Sequence, residues 1–123
     1  MKLYNLLQIR TTLNAHTKDT MSTMLAYKIM KFIKLTEAEE NFYNEKIQEI
    51  LVKYGAKDEN GNYIKSENGI KIIDDKVDDC HKEVNELAAT EVEAPAIIFT
   101  IDELSQINLT VAELYTLDEI IQN

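Results

Sequence analysis

The sequence predicts an α+β fold made mainly of helices: a long helix or helical hairpin, a small antiparallel hairpin sheet, and a helical C-terminal region. Three observations carry that expectation. Apolar residues recur at spacings of three and four between Leu25 and Tyr54, which is a helical rhythm. The composition then changes to KDENGNYIKSENGIKIID, with two Asn-Gly dipeptides among Tyr63, Ile64, Ile70, Ile72 and Ile73. Of 123 residues, 45% are hydrophobic, with three glycines and one proline, so there is material for a core and little for disorder. A single domain over residues 1–123 is expected, with a helical arm over 1–55 and the hairpin, an acidic helix, a strand and C-terminal helices over 56–123.

Residues 4–13 read as a short helix through Leu3, Leu6, Leu7 and Leu13, with Gln8, Arg10 and Thr11 turned outward. NAHTKDTMS is a polar connector in which Thr20 or Ser22 can cap the next helix. Leu25, Ile29, Phe32 and Ile33 open the long pattern; Tyr43, Ile47, Ile50, Leu51 and Tyr54 resume it, and Gly55 supplies a C-cap. Thr36 and Glu40 fall where the stripe should be apolar, while Thr36 and Glu39 match the capping-box spacing, so a bend or a fresh helix begins there. Unbroken, the helix would run about 50 Å at 1.5 Å per residue, too long for one small globule to bury. Either it folds into a hairpin at Leu35 and Thr36, or it is an arm that pairs with a second copy of the chain. The short connection favours the arm, and with it a homo-oligomer through the stretch from Leu25 to Tyr54 or a partner helix.

In the hairpin, Asn68 and Gly69 can both take the positive φ of a type I′ turn. Residues 75–89 are helical again, with Val77, Cys80, Val84 and Leu87 on one face. Asp74, Asp75, Asp78 and Asp79 lie in its first turns, where carboxylates complement the helix dipole. Residues 93–100 alternate as a strand, with Pro95 placing it at an edge or strand start. Helical pieces over 101–107, entered through Thr100 or Asp102, and 110–121, entered through Asn108 or Thr110, close the chain. Their apolar residues Leu104, Ile107, Leu114, Leu117, Ile120 and Ile121 suit docking onto the sheet or the arm.

Charge narrows the function classes. The net charge is −9, but residues 1–35 hold six cations against Asp19, a net of +5, while residues 36–123 hold seven against 21 acids, a net of −14. Either the basic segment lies beside the acidic body within the fold, or the acidic part presents its field to a basic partner. Direct binding to nucleic acid is disfavoured by the sign of the charge, and few glycines and no tryptophan leave neither a phosphate cradle nor a stacking platform. Lys28, Lys31 and Lys34, at i, i+3 and i+6, form a basic ridge: a solvated face or a docking strip for an acidic protein surface. The lone Cys80 cannot close an intramolecular disulfide, which points to a reducing, cytoplasmic setting. Tyr4, Asn5 and Gln8 interrupt any apolar signal region, so no signal peptide is expected, and the longest apolar run, from Ala94 to Phe99, is too short to span a membrane.

Catalytic or metal chemistry finds few candidates. Asp74, Asp75, Asp78, Asp79, Cys80 and His81 concentrate metal-capable groups, but Cys80 points about 100° away from His81 on a helix, and one Cys with two His assembles no zinc site. Asp58, Asn60 and Asn62 start like a calcium-binding loop. That pattern fails at its sixth and twelfth positions, where Tyr63 and Gly69 stand. His16 and His81 have no evident catalytic partner. No metal, no cofactor and no enzymatic activity are expected.

LAYKIMKFIKL, the charged segment with Phe42 and Tyr43, ILVKYGAKDENGN and the closing LTVAELYTLDEII together resemble a family of small uncharacterised proteins of phages and prophages of low-GC Gram-positive bacteria. The HTKDTMST stretch departs from that family's less broken pattern. The resemblance carries no catalytic residue. It implies a phage protein working in the host cytoplasm. The first expectation is a binding protein that attaches to a host protein and blocks or redirects it, for instance an antiviral defence enzyme. The alternative is a structural or assembly protein that oligomerises through its helical arm. The residues expected to meet a partner are Lys28, Lys31 and Lys34 and the aspartates 74, 75, 78 and 79.

Overall fold

In the computed structural model, which describes residues 1–67 and 69–122, Leu3, Leu6, Ile9 and Leu13 recur every three or four residues and are all buried. That stripe makes the first helix, α1 (Leu3–Asn14). Ser22 accepts a hydrogen bond from the Leu25 amide and starts α2 (Thr23–Leu35), which buries Leu25, Ile29 and Phe32. Near the C-terminus, Thr100 and Thr110 each form a full capping box, with Glu103 and Glu113, and open α5 (Ile101–Leu104) and α6 (Val111–Leu117). A 3-10 turn (Asp118–Ile120) follows α6. Leu104, Ile107, Leu117 and Ile120 share one core with Phe99 and with the buried stripes of α1 and α2. The fold is α+β and mainly helical. Two units make it up: Met1–Glu40 with the chain from Glu91 on, and Asn41–Thr90.

Several local expectations need correction. Arg10 does not face solvent: it is buried, its Nε donating to Glu40 (2.9 Å) and its guanidinium also to Thr36 (2.7 Å), to Glu40 and to the Ile33 carbonyl. Thr36 and Glu40 are polar inside an apolar stripe because they satisfy this buried cation. Thr36 alone separates α2 from α3 (Glu37–Tyr54). Its hydroxyl donates back to the Phe32 carbonyl (2.8 Å), so it closes α2 rather than forming the capping box with Glu39.

Residues 93–100 form no strand. Burial does alternate, with Pro95, Ile97 and Phe99 inward, as the period predicts. What is missing is a neighbouring ladder: among the described residues only Phe99 bridges, in parallel to Ile121, through Phe99 N–H to Ile120 (2.8 Å) and Gln122 N–H to Phe99 (2.8 Å). The Ile98 carbonyl is taken instead by Lys28.

In the second unit, β1 (Lys65–Ser66) pairs antiparallel with β2 (Gly69–Ile70), Ser66 opposite Gly69. Gly69 takes the positive φ expected of it, 112°, but stands in the ladder opposite Ser66 rather than at the centre of the turn; its partner in that expectation, Asn68, lies outside the described residues. At the other Asn-Gly, Gly61 has φ 81°, and the Asp58 carboxylate accepts the N–H of Asn60 (2.9 Å) and Asn62 (3.0 Å), which makes a turn. Residues 55–58 run beside both arms of the hairpin, Gly55 bridging Ile72 and Lys57 bridging Tyr63. Gly55 is not left-handed; a Cβ there would sit 2.7 Å from Ile70 Cγ2 and 2.8 Å from both Leu51 O and Tyr63 Cδ1. Its role is close approach. A 3-10 turn (Asp74–Lys76) leads into α4 (Val77–Ala88), which buries Cys80 and half-buries Val77, Val84 and Leu87, as its period predicts. Among the described residues no helix is long and apolar enough to cross a membrane.

Candidate functional site

α2 has more apolar residues than one buried stripe can use. Leu25, Ile29 and Phe32 go into the core, and Met24, Tyr27, Met30 and Leu35 remain exposed, Met24 at 73% and Tyr27 at 55%. The helix holds no acidic residue. Lys31 and Lys34 are exposed and take part in no ion pair among the described residues. The result is an unpaired basic face laced with thioether and aromatic groups, which suits adaptable protein contact. The sequence signal was present in LAYKIMKFIKL, where a helix apolar on most sides cannot hide all of them against one neighbour.

The ridge of three lysines is reduced to two. Lys28 Nζ donates to Glu103 (2.9 Å) and to the Ile98 carbonyl (2.6 Å) and lies 5.3 Å from the centroid of the Phe99 ring, so it ties α2 to the start of α5. The Lys28 hydrogen bond, with a further one from the Thr100 backbone, holds the Glu103 carboxyl below the usual range.

Beside this face a groove of about 380 Å³ runs between α2 and the connector. Met21, Ile29, Met30 and Ile33 supply its apolar surface, Asp19 stands on the connector side and Lys34 on the helix side. The connector is held by His16. Its Nδ1 lies 2.6 Å from Asp19 Oδ2 and its Nε2 lies 2.5 Å from Glu113 Oε2 on α6. The Asp19 hydrogen bond holds the imidazole above its ordinary pKa of 6.5, helped by Glu113 and opposed by burial. Glu113 lies 97 residues from His16, so this partner is invisible to local reading.

The aspartates expected to meet a partner belong to the second unit, the lysines to the first. Asp74 and Asp75 sit in the 3-10 turn, Asp78 and Asp79 in the first turn of α4, and all four are exposed; Lys76 reaches Asp79 at 3.8 Å. They read as a solvated helix start. Among the described residues no group of three or more His, Cys, Asp and Glu could hold a metal ion. Cys80 is buried, and burial pushes its thiol pKa up, away from the reactive thiolate. Comparison with protein-family models, with curated proteins and with solved structures finds no match to this chain.

Proposed function

We propose that the protein is a non-enzymatic binding protein that attaches to another protein through the outer face of α2 and the groove beside it. The observation that carries this reading is the set Met24, Tyr27, Met30 and Leu35, exposed next to two lysines that pair with no acid among the described residues, on a helix that itself holds no acid. Such a face fits an acidic segment with apolar anchors: carboxylates for Lys31 and Lys34, and side chains that fill the groove against Met21 and Met30. The phage setting, with a host protein as the target that is blocked or redirected in the cytoplasm, rests on the sequence resemblance. The test is affinity capture from infected cells with the wild-type chain and with a Lys31→Glu/Lys34→Glu variant. One host protein is expected on the wild type, lost from the variant and weakened by salt, because screening shortens the reach of exposed charges. A protein retained equally by both chains, at any salt, rules out this face.

A second reading, a structural or assembly role through self-association, is favoured by α3. It has no fully buried residue, its stripe of Tyr43, Ile47, Ile50 and Leu51 is only half covered, and Phe42 and Val52 are exposed. Sedimentation of the wild type against Val52→Glu separates the readings: a mass that falls in the variant supports assembly, and a monomer in both supports the first reading.

A further inference from the structure

The side chain of His16 is 12% exposed, and each of its ring nitrogens faces a carboxylate oxygen. Ionised carboxylates only accept hydrogen bonds, so the ring must donate at both nitrogens, and only the imidazolium does that. We propose that His16 is a protonation latch: charged, it joins Asp19 on the connector of residues 15–22 to Glu113 in the first turn of α6, and neutral, it keeps one of the two carboxylates and lets the other go. The charged groups facing the ring are Asp19, from the connector itself, and Glu113, from α6. The other residues that line the cleft beside the ring, Ala15 at the end of α1, Thr20 on the connector, and Gln106, Ile107 and Asn108 between α5 and α6, carry no charge.

The two carboxylates are not equally free. Glu113 is locked into its capping box, its Oε1 accepting the Thr110 N–H (3.0 Å) and its own N–H donating to the Thr110 hydroxyl (3.1 Å). Those bonds, the Thr110 backbone first and His16 next, keep its carboxyl below the usual range. Asp19 sits on the connector, where its own N–H donates to the His16 carbonyl (3.1 Å). When the ring loses a proton, one nitrogen presents a lone pair to an anion; Glu113 stays in its capping box, so Asp19 is the carboxylate that leaves, and the connector beyond His16 moves with it. Because the folded state raises the pKa of His16 above 6.5, the latch is fully closed below that pH and opens as pH rises through the folded value. Asp19 and Met21 line the groove. If that groove is the docking site, a point that rests on the function proposed above, the charge on His16 sets the position of one of its walls.

The latch is tested on the isolated chain, without a partner, so its failure and that of the binding reading are told apart. Ring-nitrogen NMR between pH 5 and 9 is expected to give His16 a midpoint above 6.5. Amide resonances of residues 18–21 and of Val111 and Ala112 should shift with the same midpoint. Glu113→Gln should lower the ring midpoint, and His16→Gln should abolish the amide response. A ring midpoint at or below 6.5, or connector amides that ignore it, overturns the latch. Should His16→Gln not fold, the wild-type titration and Glu113→Gln decide.

Discussion

Arg10 shows how one buried cation decides the identity of residues far away in sequence. Its side chain is 7% exposed, while that of Glu40 is 44% exposed, so the two partners are unequal. Removing Glu40 leaves a guanidinium buried with one charged partner fewer; removing Arg10 lets Glu40 hydrate. Glu40→Ala is therefore expected to cost about 2–3 kcal/mol, and Arg10→Met, which fills similar space without charge, less than about 1 kcal/mol. Urea denaturation of the two variants checks the order, and a reversed order shows that the cation contributes by more than filling its site. The same asymmetry explains what sequence reading missed. Thr36 and Glu40 stand out as polar residues in an apolar stripe, but their partner is 26 and 30 residues away and looks like an ordinary surface arginine. Lys28, with Glu103 at 75 residues, repeats the lesson: a lysine in a regular ridge looks free until the chain returns beside it.

Among the elements, helix starts and the small hairpin were readable, and the strand over residues 93–100 was not. Ser22, Thr100 and Thr110 cap from within three residues, so the interaction that places each boundary lies inside the local sequence. Residues 93–100 show the period of a strand, but a period specifies which side chains turn inward and not whether another strand arrives. Here only a C-terminal residue does. Gly55 belongs to the same class. Its position after Tyr54 suggested a left-handed cap, whereas the structure needs it because the hairpin and the end of α3 crowd its α-carbon. Gly55→Ala is expected to destabilise by about 1–3 kcal/mol through overpacking, since Leu51 O is backbone and cannot move aside cheaply. Thermal melting of Gly55→Ala beside Gly61→Ala distinguishes the causes. Gly61 has nothing within 4 Å and only its φ of 81° to lose, so a larger loss at Gly61 would place the strain in the dihedral instead.

For the whole molecule, the charge division along the chain does not survive folding. The first unit joins the six cations of residues 1–35 to eleven acids and carries −5, and the second carries −4 from seven cations and eleven acids. The basic segment lies beside acids of its own chain: the N-terminal ammonium on Glu91 at 3.1 Å, Lys28 on Glu103, and Arg10 on Glu40. These links give the first unit a pH dependence of definite sign. Glu103 and Glu113, held below 4.5, stabilise the fold above that pH and lose the effect as pH falls through their folded values. His16, held above 6.5, stabilises below that pH and loses the effect as pH rises through its own. Their joint contribution is greatest between pH 4.5 and 6.5. Melting temperatures across pH 4 to 9 should fall on both sides of that window, and His16→Gln should flatten the alkaline side alone; an alkaline side unchanged in the variant would assign that loss to other groups.

By itself, the sequence determined the helical class, the small hairpin, the buried stripes of α2 and α4, a pair of candidates for each start cap that included Ser22, Thr100 and Thr110, and the excess of apolar residues on α2, because each depends on spacings of at most a few residues. The tertiary structure alone decided that Arg10 is buried, that Lys28 leaves the ridge, that His16 joins two carboxylates, and that positive and negative stretches of chain neutralise each other. Those outcomes depend on which distant segments meet, and the free energy that selects the meeting comes from burying a shared core, a quantity that no single segment contains.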